Sequence, residues 1–299
     1  MMKMRHWITR IMMTIVLTAE CGDMLGHPVA VKGDVTYSRE DSLTIVDMLQ
    51  DARRQPSSTN MPVFFAMKFL GRPYVAHTLE VNDKEQLVIN TRQLDCTTLI
   101  ENVVALTQCA YNKRYSWDDY LHYIYIIRYK DGKNKGYASR LHYFTQWIDD
   151  NTKKGIVREI QQPVPPFSGL QTINLSYMSN NAMKYKALKS NPKLVKQIRI
   201  EENRFTGRKY RYIPKSMVKT TACMKKAVNN GDIIAITCNK KGLDIAHLGI
   251  AVWKNDGLHL LNASQIHKKV VLEPMLLGTY LKKHPSHTGI RVVRENMDR

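Results

Sequence analysis

Apolar positions recur every three or four residues in two stretches of the first half of the chain. Asp41 to Ala52 (DSLTIVDMLQDA) sets Leu43, Val46 and Leu49 on one helical face, with Asp41 as the expected N-cap. Leu94 to Leu106 (LDCTTLIENVVAL) repeats Leu99, Ile100, Val103, Val104 and Leu106 at the same spacing and predicts a second helix. Between them Met61 to Leu70 is apolar and stops at Gly71-Arg72-Pro73, while Val75 to Val81 and Gln86 to Asn90 read as extended. A mostly helical, aromatic-rich middle is expected from Trp117 to Trp147. A loop follows over Gln161 to Ser168, then a basic helix over Met183 to Arg199, interrupted at Asn191-Pro192 and closed by Glu201-Glu202. From Ala222 the character changes. Gly231-Asp232 opens Ile233-Ile234-Ala235-Ile236, and His247 to Val252 and Leu258 to Ala263 flank Asn255-Asp256-Gly257, a hairpin signal. Val270 to Leu272 and Ile290 to Val293 supply two more short strands. Helices first and an antiparallel meander last predict an α+β fold.

Composition narrows the class. The chain has 299 residues, 43% hydrophobic and 24% charged, which excludes disorder, collagen and coiled coil as its main description. Lys plus Arg is 45 against 26 acidic residues, a formal charge of +19, which favours polyanionic partners and says nothing of fold. Five cysteines are too few for a disulfide scaffold, and no CxxC pair or Cys/His spacing suits zinc; no metal and no cofactor are expected. The first residues carry Lys3, Arg5 and Arg10, then the apolar run Ile11 to Ala19, the pattern of a secretory signal. That run is too short to span a bilayer, so no stable membrane insertion is expected. Cys21 follows it, but Glu20 directly before fits lipid-anchor processing badly. The expected organisation is a signal peptide over residues 1–22 and one domain over 23–299, with a helical insertion around 111–200, in an exported periplasmic or extracellular protein.

The candidate chemistry begins with a cysteine. Asp95 can cap the helix that starts there, setting Cys96 in its first turn, where free amides and the helix dipole favour the thiolate. A nucleophilic cysteine also needs a base from elsewhere in the fold. His247 begins a predicted strand within Gly242 to Ala251 (GLDIAHLGIA), and Gly249 leaves room on the same face for another segment. Arg140, Tyr143 and Trp147 are spaced to share a helical face, offering a cation for a carboxylate and rings for a sugar. The lysines of 184–196 read as a solvated face.

Four runs read in order carry a resemblance: Phe69 to Glu80 (FLGRPYVAHTLE), Leu94 to Asn102 (LDCTTLIEN), Gly231 to Ile236 (GDIIAI) and Gly242 to Ala251. With Ser139 to Ile148 and Gly289 to Arg294, they closely resemble the bacterial N-acetylmuramoyl-L-alanine amidase-like proteins, a branch of the NlpC-type, papain-like cysteine peptidases. The resemblance implies a papain-like core with the nucleophile helix packed on an antiparallel sheet, Cys96 as nucleophile and His247 as general base. It implies hydrolysis of the amide joining muramic acid to L-alanine in peptidoglycan or muropeptides. Tyr74 matches a tyrosine that lines the site in this superfamily and, with the Cys96 backbone N–H, is a candidate oxyanion donor. His77 stands where similar sequences tend to carry Gly, and a bulkier ring there is expected to narrow or re-tune the cleft and so to bear on specificity.

The second nitrogen of His247 wants a polar partner. An even-numbered hairpin loop pairs odd residues with even ones, so Asn262 or Ser264 can stand opposite His247 while His259 cannot reach that face. Asn262 is preferred, because its amide oxygen accepts from an imidazole N–H and related enzymes use a polar residue before Ala-Ser; Ser264 is the alternative. Two other functions stay open at this point: γ-D-glutamyl–diamino acid endopeptidase activity within the same superfamily, and a non-catalytic basic polymer-binding protein. No nucleic-acid motif accompanies the charge. The mature protein is expected to begin near residues 20–25. Amino-terminal sequencing of the exported protein checks this, and an intact Met1 in a cytoplasmic fraction would overturn it.

Overall fold

A computed structural model describes residues 35–297; the basic and apolar stretch of residues 1–22 lies outside the described residues. Strand β1 (Val35–Thr36) leads into α1 (Arg39–Arg53), whose N-cap is Ser38 rather than Asp41. Asp41 is the third residue of the helix and completes a capping box with Ser38. The other oxygen of its buried carboxylate accepts from the Thr91 backbone N–H at 2.8 Å and the Thr91 hydroxyl at 2.9 Å. One carboxylate therefore starts a helix and pins the segment that leads into Cys96.

Helix α2 (Met61–Lys68) is capped by Asn60, with proline in its first turn. The stretch 75–81 is irregular, not extended; β2 (Leu87–Val88) pairs in parallel with β1. Helix α3 (Cys96–Tyr111) is buried along nearly its whole length, from Thr98 to Cys109. It lies against α1, α2, α4 (Trp117–Arg128) and the sheet. The aromatic middle is less helical than its composition predicts, because 3-10 turns at Lys130–Gly132 and Tyr137–Ser139 separate α4 from α5 (Phe144–Lys153). Strands β3 (Val157–Ile160) and β4 (Gly169–Thr172) and the single turn α6 (Tyr177–Asn180) follow. Helix α7 (Pro192–Asn203) begins at Asn191-Pro192, since proline suits the first turn of a helix; Glu201 and Glu202 lie inside it.

Strand β5 (Lys209–Pro214) and helix α8 (Ala222–Ala227) precede the C-terminal strands β6 (Ile233–Cys238), β7 (Ile245–Lys254), β8 (Gly257–Ser264) and β9 (Lys269–Leu272). Helix α9 (Leu277–Lys282) and β10 (His287–Glu295) close the chain. The eight-stranded sheet is antiparallel and runs β4-β5-β10-β6-β7-β8-β9, with β3 also paired to β10. The fold is thus α+β, and the sheet recruits three strands from the chain's middle. It is covered on both faces. Ile233, Ala235, Leu248, Ile250, Leu261 and Ala263 pack toward α1–α5, while Ile234, Ile236, Ala251 and Leu260 pack toward α8 and α9. A third apolar cluster joins Tyr137 and Tyr143 to α6 and α7. Gly249 is needed where β7 meets β8: a Cβ there would lie 2.6 Å from Leu260 Cδ1 and 2.7 Å from the Leu261 carbonyl oxygen. No helix of the described residues is long and apolar enough to cross a membrane.

Burying α3 on every side forces its polar residues to find partners. Glu101 Oε2 accepts from Arg128 Nε at 2.8 Å, with side chains 2% and 3% exposed. Arg128 also donates to the Val88 carbonyl at 2.5 Å. Asn102 accepts from the Tyr120 hydroxyl at 2.7 Å and donates to the Thr98 carbonyl at 2.7 Å. Removing one member of such an ion pair leaves an uncompensated buried charge. Glu101→Ala is therefore expected to lower unfolding stability by about 3–5 kcal/mol. Thermal or urea denaturation checks this, and a loss below about 1 kcal/mol would show that Arg128 finds water or another acceptor.

Candidate active site

The N-terminus of α3 opens on a cleft of about 250 Å³, and the residues that begin the helix line it: Asp95, Cys96, Thr97 and Thr98. Asp95 is the N-cap. Its Oδ1 accepts from the Thr98 N–H at 2.8 Å, and Thr98 Oγ1 accepts from the Asp95 N–H at 2.9 Å, a closed capping box. Caps of this kind are worth about 1 kcal/mol. Cys96 is consequently held in the first helical turn.

Across the cleft stands β7. From Leu248 onward its even residues face α3, and His247, which follows a register shift after Ile245, projects to the opposite face of the sheet at the beginning of the strand, where it lines the same cleft as Cys96. Asn262 of β8 shares that face. Its Oδ1 lies 2.9 Å from His247 Nε2, which must donate because an amide oxygen only accepts. Proton occupancy of Nε2 leaves Nδ1 of the neutral ring as the lone-pair nitrogen. Asn262 is itself fully buried and donates to the Leu260 carbonyl at 3.3 Å. Ser264 has a different role: its hydroxyl accepts from the His267 N–H at 3.1 Å in the β8–β9 turn, and it does not line the cleft. His259 bonds the Glu273 carbonyl and Asp256.

Electrostatics at the helix terminus differ from the expectation that the dipole favours the thiolate. Burial, followed by the charge of Asp95, pushes the Cys96 thiol up to about 12, against weaker hydrogen bonding from the Leu248 backbone and the Thr97 side chain. Burial likewise pushes His247 below 6.5, with the Asn262 hydrogen bond pulling partly back. The resting pair is thus a neutral thiol and a neutral imidazole. Tyr74 follows Pro73 on a segment bridged in parallel to Leu94, with the Val75 N–H donating to the Leu94 carbonyl at 3.1 Å. Its phenol is pushed up to about 12 by burial and by the charges of Cys96 and Asp95, so it stays a hydroxyl donor.

The aromatic and basic candidates fare differently. Arg140 lies before α5, not on it, and shares no helical face with Trp147. It lines the cleft buried, bonded to Glu80 and lying 3.7 Å from Glu85. Its charge is spent on those carboxylates rather than held free for a substrate. Tyr143 also lines the cleft, but as the residue preceding α5. Its hydroxyl donates to Glu202 Oε1 at 2.7 Å and accepts from the Met178 N–H at 2.8 Å, leaving only its ring for a ligand. Trp147 is a core residue, 0% exposed, stacked under Phe144 at 4.8 Å. His77 lines the cleft with φ of +63°, a left-handed conformation that costs a non-glycine residue about 1–2 kcal/mol.

Sequence reasoning missed Tyr137, Tyr177, Tyr185, His142 and Glu80, which complete the wall. They come from turns and short elements with no periodic signature, and only the fold gathers them. Among the described residues the cysteines Cys96, Cys109, Cys223 and Cys238 are free, and no group of three or more His, Cys, Asp or Glu is arranged to hold a metal.

Known proteins share this architecture. An N-acetylmuramoyl-L-alanine amidase from Bacteroides uniformis is 38% identical, with a TM-score of 0.74 over 79% of this chain and 97% of its own. A Bacteroides fragilis protein assigned only provisionally as a xylanase is 38% identical, with a TM-score of 0.72 over 77% of this chain and 99% of its own. A Legionella pneumophila protein at 21% identity has a TM-score of 0.64 over 86% and 94% of the two chains, a likeness of fold alone. No curated protein matches the sequence. The AmiA-like family, described as N-acetylmuramoyl-L-alanine amidase-like, matches residues 64–290, a span that takes in both the capped cysteine and the histidine strand, and the chain belongs to it.

Proposed function

We propose that the protein is a cysteine-dependent N-acetylmuramoyl-L-alanine amidase with a papain-like, NlpC-type core. The observation that carries this reading is the His247–Asn262 hydrogen bond in the same cleft as a helix-capped Cys96. A histidine whose far nitrogen is fixed by an amide oxygen offers its near nitrogen to a thiol, the arrangement a Cys–His hydrolase needs.

The chemistry starts from a neutral pair. Cys96 Sγ attacks the lactyl carbonyl of muramic acid as its proton passes to His247 Nδ1, so the thiolate forms only as the new bond forms. Negative charge on the carbonyl oxygen is met by the Cys96 backbone N–H and the Tyr74 hydroxyl. His247 then protonates the alanine nitrogen, the C–N bond breaks, and the peptide leaves with a free amine. Water, deprotonated by His247, attacks the thioester, releasing the muramyl carboxylate and restoring the thiol. Rings of Tyr137, Tyr143 and Tyr177 offer apolar faces to a sugar.

A glycosidase reading, raised by the Bacteroides fragilis neighbour, needs two carboxyl groups free to act as acid and base. In this cleft Glu101 is held by Arg128, Glu80 by Arg140, Asp95 by the Thr98 N–H, and Asp244 by the Thr145 N–H at 2.8 Å. Each is already engaged, which disfavours it.

Mass spectrometry of a defined muropeptide digested by the purified protein tests the reading. The expected product is an intact peptide with a free L-alanine amine; a cut within the peptide would indicate the endopeptidase, and no cleavage with retained polymer binding a non-catalytic role. Cys96→Ala should abolish turnover with the fold kept, and activity surviving in this variant would remove the nucleophile assignment. Asn262→Ala should lower kcat/KM by roughly ten- to a thousandfold, less than loss of Cys96, since it orients the base without reacting. The pH profile gives a sign. Activity requires neutral His247, whose pKa lies below 6.5, so the acid limb should fall below 6.5. Because the Asn262 hydrogen bond raises that pKa, its loss should move the limb further toward acid. A shift toward alkaline pH would mean that Asn262 does not act on His247.

A further inference from the structure

The sheet has a further edge, and Tyr74 lies on it. Residues 71–74 run antiparallel to β9: the Gly71 N–H donates to the Val270 carbonyl at 2.9 Å, the Val270 N–H to the Arg72 carbonyl at 2.8 Å, and the Tyr74 N–H to the Lys268 carbonyl at 2.9 Å. The same segment meets the chain that enters α3. The Leu94 N–H donates to the Pro73 carbonyl at 3.0 Å, and the Leu94 carbonyl accepts from Val75. Tyr74 therefore stands between β9, whose partner β8 carries Asn262, and the residues that lead into Cys96. Cys96 has its own anchors in the Asp95 cap and the Asp41–Thr91 bond. The backbone N–H of Tyr74 is spent on Lys268, in the turn over residues 265–268 that joins β8 to β9.

That turn carries two costly features. Lys268 adopts φ of +56°, a left-handed conformation that suits glycine better. Glu273, at the far end of β9, buries its carboxylate, and Oε1 has no hydrogen-bond partner among the described residues. Its Oε2 accepts from His267 Nε2 at 3.1 Å. Glu273 is itself fixed through its main chain: its N–H donates to the Leu260 carbonyl at 2.8 Å, and its carbonyl accepts from His259 Nδ1 at 2.9 Å. On the backbone side, the His267 N–H donates to Ser264 Oγ at 3.1 Å. His267 is thus held by ring and backbone together, directly before the residue that takes the Tyr74 amide. A hairpin of this length closes without either bond. None of residues 264–268 lines the cleft, so whatever they do for the reaction passes through another residue.

We propose that His267 is a positioning residue for Tyr74. Through Glu273 and Ser264 it fixes the β8–β9 turn, and the Lys268 carbonyl then holds Tyr74 where its hydroxyl meets the developing oxyanion. This rests on the amidase reading for the reaction and for the part Tyr74 plays in it. An oxyanion donor acts only at hydrogen-bond distance, and a displacement of about 1 Å can cost a hundredfold in rate. A loosened turn that still lets Tyr74 reach its place part of the time costs less, about tenfold. Because the contact is made to charge that develops in the transition state, the loss falls on kcat and leaves KM nearly unchanged.

The test uses His267→Ala, which removes the bond to Glu273, and His267→Gln, which keeps a side-chain N–H donor. The His267 side chain is 35% exposed, so both variants should fold. On a defined muropeptide, His267→Ala should lower kcat about tenfold with KM within about twofold, and His267→Gln should recover most of the loss. In a Tyr74→Phe background, which has no hydroxyl to place, the same His267→Ala change should cost less than about twofold. An equal loss with and without the Tyr74 hydroxyl, a loss that Gln leaves unrepaired, or no loss in folded His267→Ala overturns the proposal. Hydrogen exchange of the Tyr74 amide, followed by NMR, separates this inference from the amidase reading. Exchange should be slow in the wild type, about tenfold or more faster in His267→Ala, and slow again in His267→Gln. If no muropeptide is cleaved but the amide responds in this way, the hold of the turn on Tyr74 stands and the amidase reading falls. If the exchange of that amide ignores His267, the proposal falls whatever the turnover.

Discussion

Helix α3 has almost no face left for water, and the rest of the molecule is arranged around that fact. Apolar residues line it from Leu99 to Cys109, with α1, α2 and α4 on one side and the sheet on the other. Each polar group it carries must therefore be met inside the protein. Arg128 is drawn inward to Glu101, and Tyr120 to Asn102, and these two bonds fix how α4 lies on α3. Only the N-terminus of the helix reaches an opening. Its cap is supplied by Asp95, and the segment before the cap is supplied with an anchor by Asp41. The position of Cys96 is thus set by polar bonds of its neighbours, the cap that Asp95 makes with Thr98 and the anchor that Asp41 makes with Thr91.

The sheet places the second half of the site by alternation. Beyond the register shift that separates Ile245 from His247, residues of β7 and β8 alternate between two packed faces, and His247 and Asn262 fall on the same one. Gly249 lets Leu260 approach, and without that closeness the hairpin would splay where Asn262 must reach His247. The site consists of a helix end and a strand end that meet at the margin of the sheet. Burial at that margin favours the neutral forms of the Cys96 thiol and the His247 ring, which suits the proposed proton transfer coupled to attack better than a standing ion pair.

Charge, by contrast, is organised at long range. The excess of lysine and arginine is a property of the composition, but the carboxylates that line the cleft, Glu80, Asp95, Glu101 and Asp244, are gathered from segments far apart in the chain. Arg140 illustrates how this arises. A lone arginine in a sequence offers a cation; inside the fold it is consumed by Glu80 and Glu85, and its function becomes the anchoring of carboxylates to the wall.

How much of this was legible beforehand follows from the range of each interaction. The helix at Leu94–Leu106, the hairpin at Asn255-Asp256-Gly257 and the parity that pairs Asn262 with the His247 face are local or periodic, so the sequence alone determined them. Cys96 at a capped helix start is of the same kind. Tertiary structure alone decided what Arg140, Tyr143 and Trp147 do, because their partners Glu80, Glu202 and Phe144 lie on other segments or are selected only by packing. It also decided the N-cap of α1: Asp41 and Ser38 are both good capping residues, and the need of the Thr91 amide for a buried acceptor drew Asp41 into the first turn. The thiol of Cys96 shows the same limit most clearly. A helix dipole can be read from three residues, whereas desolvation depends on every atom that surrounds the group, and those atoms come from segments as far apart in the chain as Tyr74 and Leu248.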